Sequence, residues 1–304
     1  MTVGHIKLNT GALMPEIGLG TWLSEREGLL FETLAEAINL GYRHIDCAKI
    51  YGNQQEIGNA LARINFPRKE LFIVSKIWQN VHRPELVPGA LDDILDELQL
   101  KYLDLLLIHF PYAQKPDVLT KDPTVDELEN VPIMDTWRAM EALVDSGKVR
   151  AIGVSNFTRS VLEKMIPQCR IIPAVNQVEI HPYNQSPELV KFCQDNGIAV
   201  TGYCPLGGVK INVMNDDFVK RVAEAHQCTP AQVALSWALS RGIAVIPKTT
   251  NKLRLKENLK KITLSYDERH AFAQIKTHER KVDPGRDLKE LKWVVHEDAE
   301  CPLI

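Results

Sequence analysis

The chain has 304 residues, a formal net charge of −3 and 45% hydrophobic residues, enough apolar material for one large core. A balance this close to neutral lacks the basic face that nucleic acid or an anionic membrane demands, so neither is expected as a partner. The opening MTVGHIKLNTG has no signal-peptide run, and no stretch reaches the roughly 18 uninterrupted apolar residues of a membrane helix, so a cytoplasmic protein is expected.

Residues 5–14, HIKLNTGALM, alternate apolar and polar side chains around the turn-prone Asn9-Thr10-Gly11, which predicts a β-hairpin. A short apolar run followed by an amphipathic helical pattern then recurs. The runs are IGLGT (17–21), HIDCA (44–48), LFIVSKI (71–77), LDLLLIHF (103–110), RAIGVS (150–155), PAVNQVEI (173–180), AVTGYCP (199–205) and IAVIPK (243–248). Helical patterns such as GLLFETLAEAINLG, ELVPGALDDILDELQL, MDTWRAMEALVDSG, PELVKFCQDNG and TPAQVALSWALSRG lie between them. Several of these end at a glycine: Gly41, Gly147, Gly197 or Gly242.

Eight such units predict an α/β protein of the closed (β/α)8 TIM-barrel type, with an N-terminal β-hairpin and extra helices late in the chain. The alternative, a doubly wound open sheet binding a dinucleotide, would carry a G-x-G-x-x-G turn. Gly18-Leu19-Gly20 continues as TWLS and lacks that fingerprint. The longest irregular stretch, Pro111 to Pro132, follows the fourth strand and is expected to be a loop over the barrel mouth.

In a barrel of this kind the strand C-terminal ends converge on one mouth, so polar residues there are candidates for a shared site. Asp46 ends the second strand, Tyr51 opens what reads as the next helix, Lys76 ends the third strand and His109 the fourth. Asp46 and Lys76 on adjacent strands can pair, and a buried ammonium beside Tyr51 is expected to favour the phenolate and lower its pKa from about 10. His109 could orient a carbonyl oxygen held beside the phenol. Taken singly, Lys76 reads equally as a surface lysine and His109 as a satisfied core histidine.

Ser155-Asn156 at the fifth strand end, Gln177 and Glu179 at the sixth and Tyr203 at the seventh could bind a planar amide-bearing heterocycle, with the ring stacked on its face. Ser155 and Asn156 read also as helix caps. After the eighth strand, PKTTNKLRLKEN places Lys248, Thr249 and Arg254 at a helix start, where barrels often bind phosphate.

The six cysteines, at 47, 169, 193, 204, 228 and 301, form neither CxxC pairs nor metal-spaced clusters. They read as reduced, mostly buried thiols, and no metal is expected. The final Cys301-Pro302-Leu303-Ile304 superficially fits a prenylation motif, but its proline and the acidic HEDAE before it argue against modification.

These residues resemble the aldo-keto reductases, the aldehyde and aldose reductases in particular, from GLGTW (18–22) to KENLK (256–260). Four segments carry the resemblance: HIDCAKIYGN with Gly58; VSKIW with LLLIHFP; AIGVSNF with PAVNQVEIHPY; and GYCPLG with IPKTTNKLRLKEN. The resemblance implies a single barrel domain over 1–304, acting as a monomer, whose tail from about 280 on shapes the substrate pocket. It implies that Tyr51 is the general acid, with Asp46, Lys76 and His109 completing a catalytic tetrad. Ser155, Asn156 and Gln177 would hold the nicotinamide carboxamide, with the Tyr203 ring stacked on it. Lys248, Thr249 and Arg254 would clamp the 2′-phosphate of NADPH/NADP+, with Glu257 and Asn258 near the adenine. Trp22, Trp78, Phe110 and His109 would line the substrate pocket.

The expected activity is NADPH-dependent reduction of aldehydes, aldoses and some ketones to alcohols, with a tyrosine as proton donor. Two rivals are an NADP(H)-binding sensor or regulatory subunit with little turnover, and an aldolase-type barrel with Lys76 as a Schiff-base lysine. Departures from the family pattern are Gln54 for a frequent Glu, which questions a carboxylate near the cofactor, Phe110 for a frequent Trp, Thr249 for a frequent Ser, and a short loop LGGVKIN.

Overall fold

The structure is a computed structural model and describes residues 3–23, 28–208, 211–284 and 288–294. It opens on the expected hairpin of β1 (His5–Lys7) and β2 (Leu13–Pro15), antiparallel, with Gly11 at φ 86° in the turn, a conformation that glycine adopts without strain. Leu8 and Met14 pack with Phe72, Leu105, Ala151 and Ala174 at the beginnings of the barrel strands, so the hairpin stoppers the end opposite the site.

The barrel strands are β3 (Gly18–Gly20), β4 (His44–Asp46), β5 (Phe72–Ile77) and β6 (Leu105–Ile108). After a small hairpin of β7 (Ala113–Gln114) and β8 (Leu128–Glu129), the barrel continues as β9 (Ile152–Ser155), β10 (Val175–Glu179), β11 (Ala199–Tyr203) and β12 (Ile243–Val245). All neighbours in the order β12-β11-β10-β9-β6-β5-β4-β3 are parallel. A parallel bridge between Ile17 and Val245, with the Val245 N–H donating to the Glu16 carbonyl at 2.8 Å, joins first to last and closes the ring. Strands covered on both faces need continuous apolar runs, and every residue of Phe72–Ile77 is buried.

The helices are α1 (Leu29–Leu40), α2 (Gln54–Ile64), α3 (Val87–Leu98), α4 (Ile133–Asp145), α5 (Arg159–Met165), α6 (Pro187–Asp195), α7 (Asp217–Ala225), α8 (Pro230–Ser240), α9 (Lys252–Asn258) and α10 (Tyr266–Ala273). Late in the chain, two helices separate β11 from β12 and two more follow β12, which supplies the expected extras. Gly41 closes α1 at φ 110°. Gly58 lets α2 approach α3 so closely that a β-carbon there would sit 2.3 Å from the Glu97 carbonyl oxygen.

Two local expectations change. Tyr51 does not open a helix: it ends a 3-10 turn, Lys49–Tyr51, and Gly52 at φ 70° breaks the chain before α2 begins at Gln54. The stretch from Pro111 to Pro132 is partly regular, because β7 pairs with β8 and Thr124 and Glu127 form a reciprocal cap between them. Arg83 ties this hairpin to the loop after β5 through Glu129, at 2.9 Å from Nε to Oε1. Among the described residues no cysteine is disulfide-bonded; Cys47 and Cys193 are buried, whereas Cys169, Cys204 and Cys228 are half-buried. The prenylation-like end lies outside the described residues. No described helix is long and apolar enough to cross a membrane.

Candidate active site

Parallel strands of matched register deliver Asp46 and Lys76 to the mouth from β4 and β5. The Lys76 ammonium donates to Asp46 Oδ1 at 2.6 Å, to the Cys47 carbonyl at 2.8 Å and to the Tyr51 hydroxyl at 3.4 Å. Both charged side chains are withdrawn from water, at 0% and 2% exposure, so the pair persists only because each charge is compensated. The second Asp46 oxygen accepts from Gln177 Nε2 at 2.7 Å, which crosses the barrel and joins the charged half to the amide-lined half.

The Tyr51 ring meets the His109 ring edge-on at 5.9 Å. His109 in turn stacks on Phe110 at 5.4 Å and meets Trp78 edge-on at 5.0 Å, so aromatic rings flank it on both sides.

Burial sets the protonation states here. It raises the Tyr51 phenol well above 10, and the negative charge of Asp46 raises it further. The expectation that Lys76 favours the phenolate is therefore corrected: the ammonium is engaged by Asp46 and the Cys47 carbonyl at shorter range, and desolvation of the phenolate wins. Burial also holds His109 well below 6.5, with the Lys76 and Lys121 charges acting in the same direction, so the imidazole is neutral. The site at rest pairs a protonated phenol with a neutral imidazole.

On the other side of the mouth, Ser155, Asn156, Gln177 and Tyr203 form one network. The Ser155 hydroxyl donates to the Gln177 carbonyl at 2.8 Å, and Asn156 Nδ2 donates to the His109 carbonyl at 2.9 Å and to Ser155 Oγ at 3.1 Å. The Tyr203 hydroxyl donates to Asn156 Oδ1 at 2.7 Å. Asn156 holds φ 62°, a left-handed turn that brings its amide back over the strand end.

Beyond β12, Lys248 Nζ donates to the Leu23 carbonyl at 2.9 Å, next to Trp22. The buried Thr249 hydroxyl accepts from the Asn251 N–H at 3.1 Å, and Asn251 caps α9 by accepting from the Arg254 N–H at 3.1 Å. Glu257 is half-buried and Asn258 buried at the far end of α9.

Two residues do other work than the sequence suggested. Gln54 faces away from the mouth: it accepts from Ser75 Oγ at 2.5 Å and donates to Glu97 at 2.8 Å, so it secures α2 against β5 and α3. Glu179 turns to His181 at 2.9 Å and accepts the N–H groups of Lys281 and Val282 at 2.7 and 2.8 Å, anchoring the C-terminal segment to β10. The His-Pro-Tyr run after β10 was the only sequence signal for this anchor.

Burial would raise the Glu179 carboxyl, but His181 and the two backbone donors outweigh it and hold it below 4.5. Its stabilisation is thus complete above that value and fades as pH falls through the lowered one. Glu179→Gln is expected to cost about 1–3 kcal/mol near neutral pH. Thermal unfolding measured across pH should show the gap from the unsubstituted protein closing on acidification.

Among the described residues no group of three or more His, Cys, Asp or Glu side chains could hold a metal ion. Fold and site together define a (β/α)8 barrel with a buried Asp-Lys-Tyr cluster at its mouth. The model of the Aldo/keto reductase family matches residues 16–279, and the chain belongs to that family. It is 43% identical over 265 residues to the Arabidopsis thaliana protein named Aldo-keto reductase family 4 member C11, covering 84% of this chain and 83% of that one. It is 42% identical over 280 residues to the NADPH-dependent D-xylose reductase of Meyerozyma guilliermondii, covering 84% and 88%. Among solved structures, the aldose reductase of Schistosoma japonicum superposes with a TM-score of 0.89 at 37% identity, covering 97% of this chain and 99% of that one. Family membership makes the chain a carbonyl-reducing oxidoreductase of a class that uses nicotinamide cofactors and small carbonyl substrates.

Proposed function

We propose that the protein reduces aldehydes, together with aldoses and some ketones, to alcohols with NADPH, Tyr51 being the proton donor. The observation that carries this is the buried ammonium of Lys76, which contacts both Asp46 and the Tyr51 hydroxyl at the barrel mouth. The relatives named as xylose and aldose reductases support the substrate class.

The residues present fit the cofactor. Ser155, Asn156 and Gln177 offer the mixed donors and acceptors that a carboxamide requires, and the Tyr203 ring beside them offers a stacking face. Lys248 and Arg254 form no ion pair among the described residues, so their charge is free to meet the 2′-phosphate with Thr249. Glu257 and Asn258 would border the adenine. When bound, the nicotinamide supplies the hydride that adds to the carbonyl carbon.

The chain's own residues do the rest. Tyr51 holds a proton on its hydroxyl and releases it to the carbonyl oxygen. Lys76, held by Asp46, stabilises the oxygen that Tyr51 leaves charged. Neutral His109 orients the substrate oxygen, while Trp22, Trp78 and Phe110 exclude water. The single barrel domain would work as a cytoplasmic monomer. Its tail from about 280 on walls the substrate pocket, and the buried Leu291 and Val294 support that placement.

Steady-state assays with aldehydes, aldoses and ketones, comparing NADPH with NADH, test this. Joint replacement of Lys248 and Arg254 by Ala is expected to raise KM for NADPH roughly ten- to hundredfold and leave NADH little changed. Cofactor binding without turnover would favour the sensor reading instead, and borohydride trapping of an adduct on Lys76 would favour the aldolase-type one.

A further inference from the structure

Lys281 projects from the C-terminal segment across the barrel mouth. Its ammonium lies 4.7 Å from the centre of the Trp22 ring in the loop after β3, and a methyl group added to Gly208 in the loop after β11 would come within 2.8 Å of the same nitrogen. One side chain therefore links three loops. Its backbone is fixed from below, because the Lys281 and Val282 N–H groups are held by the fully buried Glu179 carboxylate. Among the described residues Lys281 forms no ion pair.

Its position between the two ends of the cofactor site gives this cation a use. The carboxamide-binding set sits at the ends of β9 to β11, and the phosphate-binding set follows β12, where Lys248 holds the Leu23 carbonyl one residue beyond Trp22. A dinucleotide that reaches both ends must lay its pyrophosphate across the interval that Trp22, Gly208 and Lys281 enclose. We propose that Lys281 is a cofactor-binding residue that reaches over the cleft from the tail and meets the pyrophosphate charge. The inference rests on the nicotinamide reading given above.

The experiment is a fluorescence titration of the full chain, unsubstituted, Lys281→Met and Lys281→Arg, with NADPH and with adenosine 2′-monophosphate, which carries the 2′-phosphate and no phosphate at the 5′ position. Lys281→Met is expected to weaken NADPH roughly ten- to hundredfold, with Arg restoring most of the loss and the affinity for adenosine 2′-monophosphate unchanged. Equal NADPH affinity in the unsubstituted and Met proteins overturns the proposal while leaving the cofactor assignment intact. So does a Met variant that changes only KM for the carbonyl substrate, or that weakens both probes alike. Failure of the unsubstituted protein to bind either NADPH or NADH overturns the cofactor assignment and this inference with it.

Discussion

Tyr51→Phe is expected to lower kcat for aldehyde reduction by about 10²- to 10⁴-fold, the usual worth of a positioned proton donor, while cofactor affinity and folding stay close to those of the unsubstituted protein. The change removes only the hydroxyl, whose bond to Lys76 is the longest that the ammonium makes, at 3.4 Å against 2.6 Å to Asp46. Lys76 therefore keeps its two stronger partners and the pocket keeps its shape. Because burial holds the phenol well above 10, ultraviolet difference titration of the free protein against the Phe variant should reveal no ionisation of Tyr51 below pH 10. A variant that kept full rate would remove Tyr51 from the chemistry, whereas a phenol titrating near neutrality would show that Lys76 outweighs desolvation.

The barrel was legible because its strands are covered on both faces and so appear as uninterrupted apolar runs such as LFIVSKI, with glycine-terminated helices between them. The convergence of Asp46, Tyr51, Lys76 and His109 was legible for a related reason: polar side chains at the C-terminal ends of such strands meet at one mouth. What stayed hidden depends on partners far away in the chain. Gln54 lies three residues from Tyr51 in sequence, yet its direction is set by Ser75 and Glu97, which fix α2 from the outside. Glu179 looked like a cofactor contact until residues 281 and 282 supplied its donors, more than a hundred positions on. The direction of the Tyr51 shift was misread because sequence shows which charges can be near and not how deeply they are buried, and here depth outweighs proximity. The hairpin within Pro111–Pro132 rests on strands of two residues each, too short to leave a periodic pattern.

Asp46→Asn should be the most costly single change for folding, by about 3–5 kcal/mol, because it leaves the fully buried Lys76 ammonium without its counter-charge. Lys76→Met leaves the opposite imbalance, a buried carboxylate, but one oxygen of Asp46 still accepts from Gln177 at 2.7 Å, so its cost should be smaller. Combining the two substitutions removes both charges together and places an apolar side chain where the lysine packed. The double variant is then expected to be less destabilised than the sum of the singles by about 1–3 kcal/mol, the coupling that contacting groups show. Chemical denaturation of the four proteins at neutral pH closes the cycle, and all three variants should have lost carbonyl reduction. Strict additivity would mean that the two groups do not depend on each other for their burial. Coupling together with lost activity would mean that a charge pair costly to keep in the core is retained because it holds an ammonium beside the Tyr51 hydroxyl.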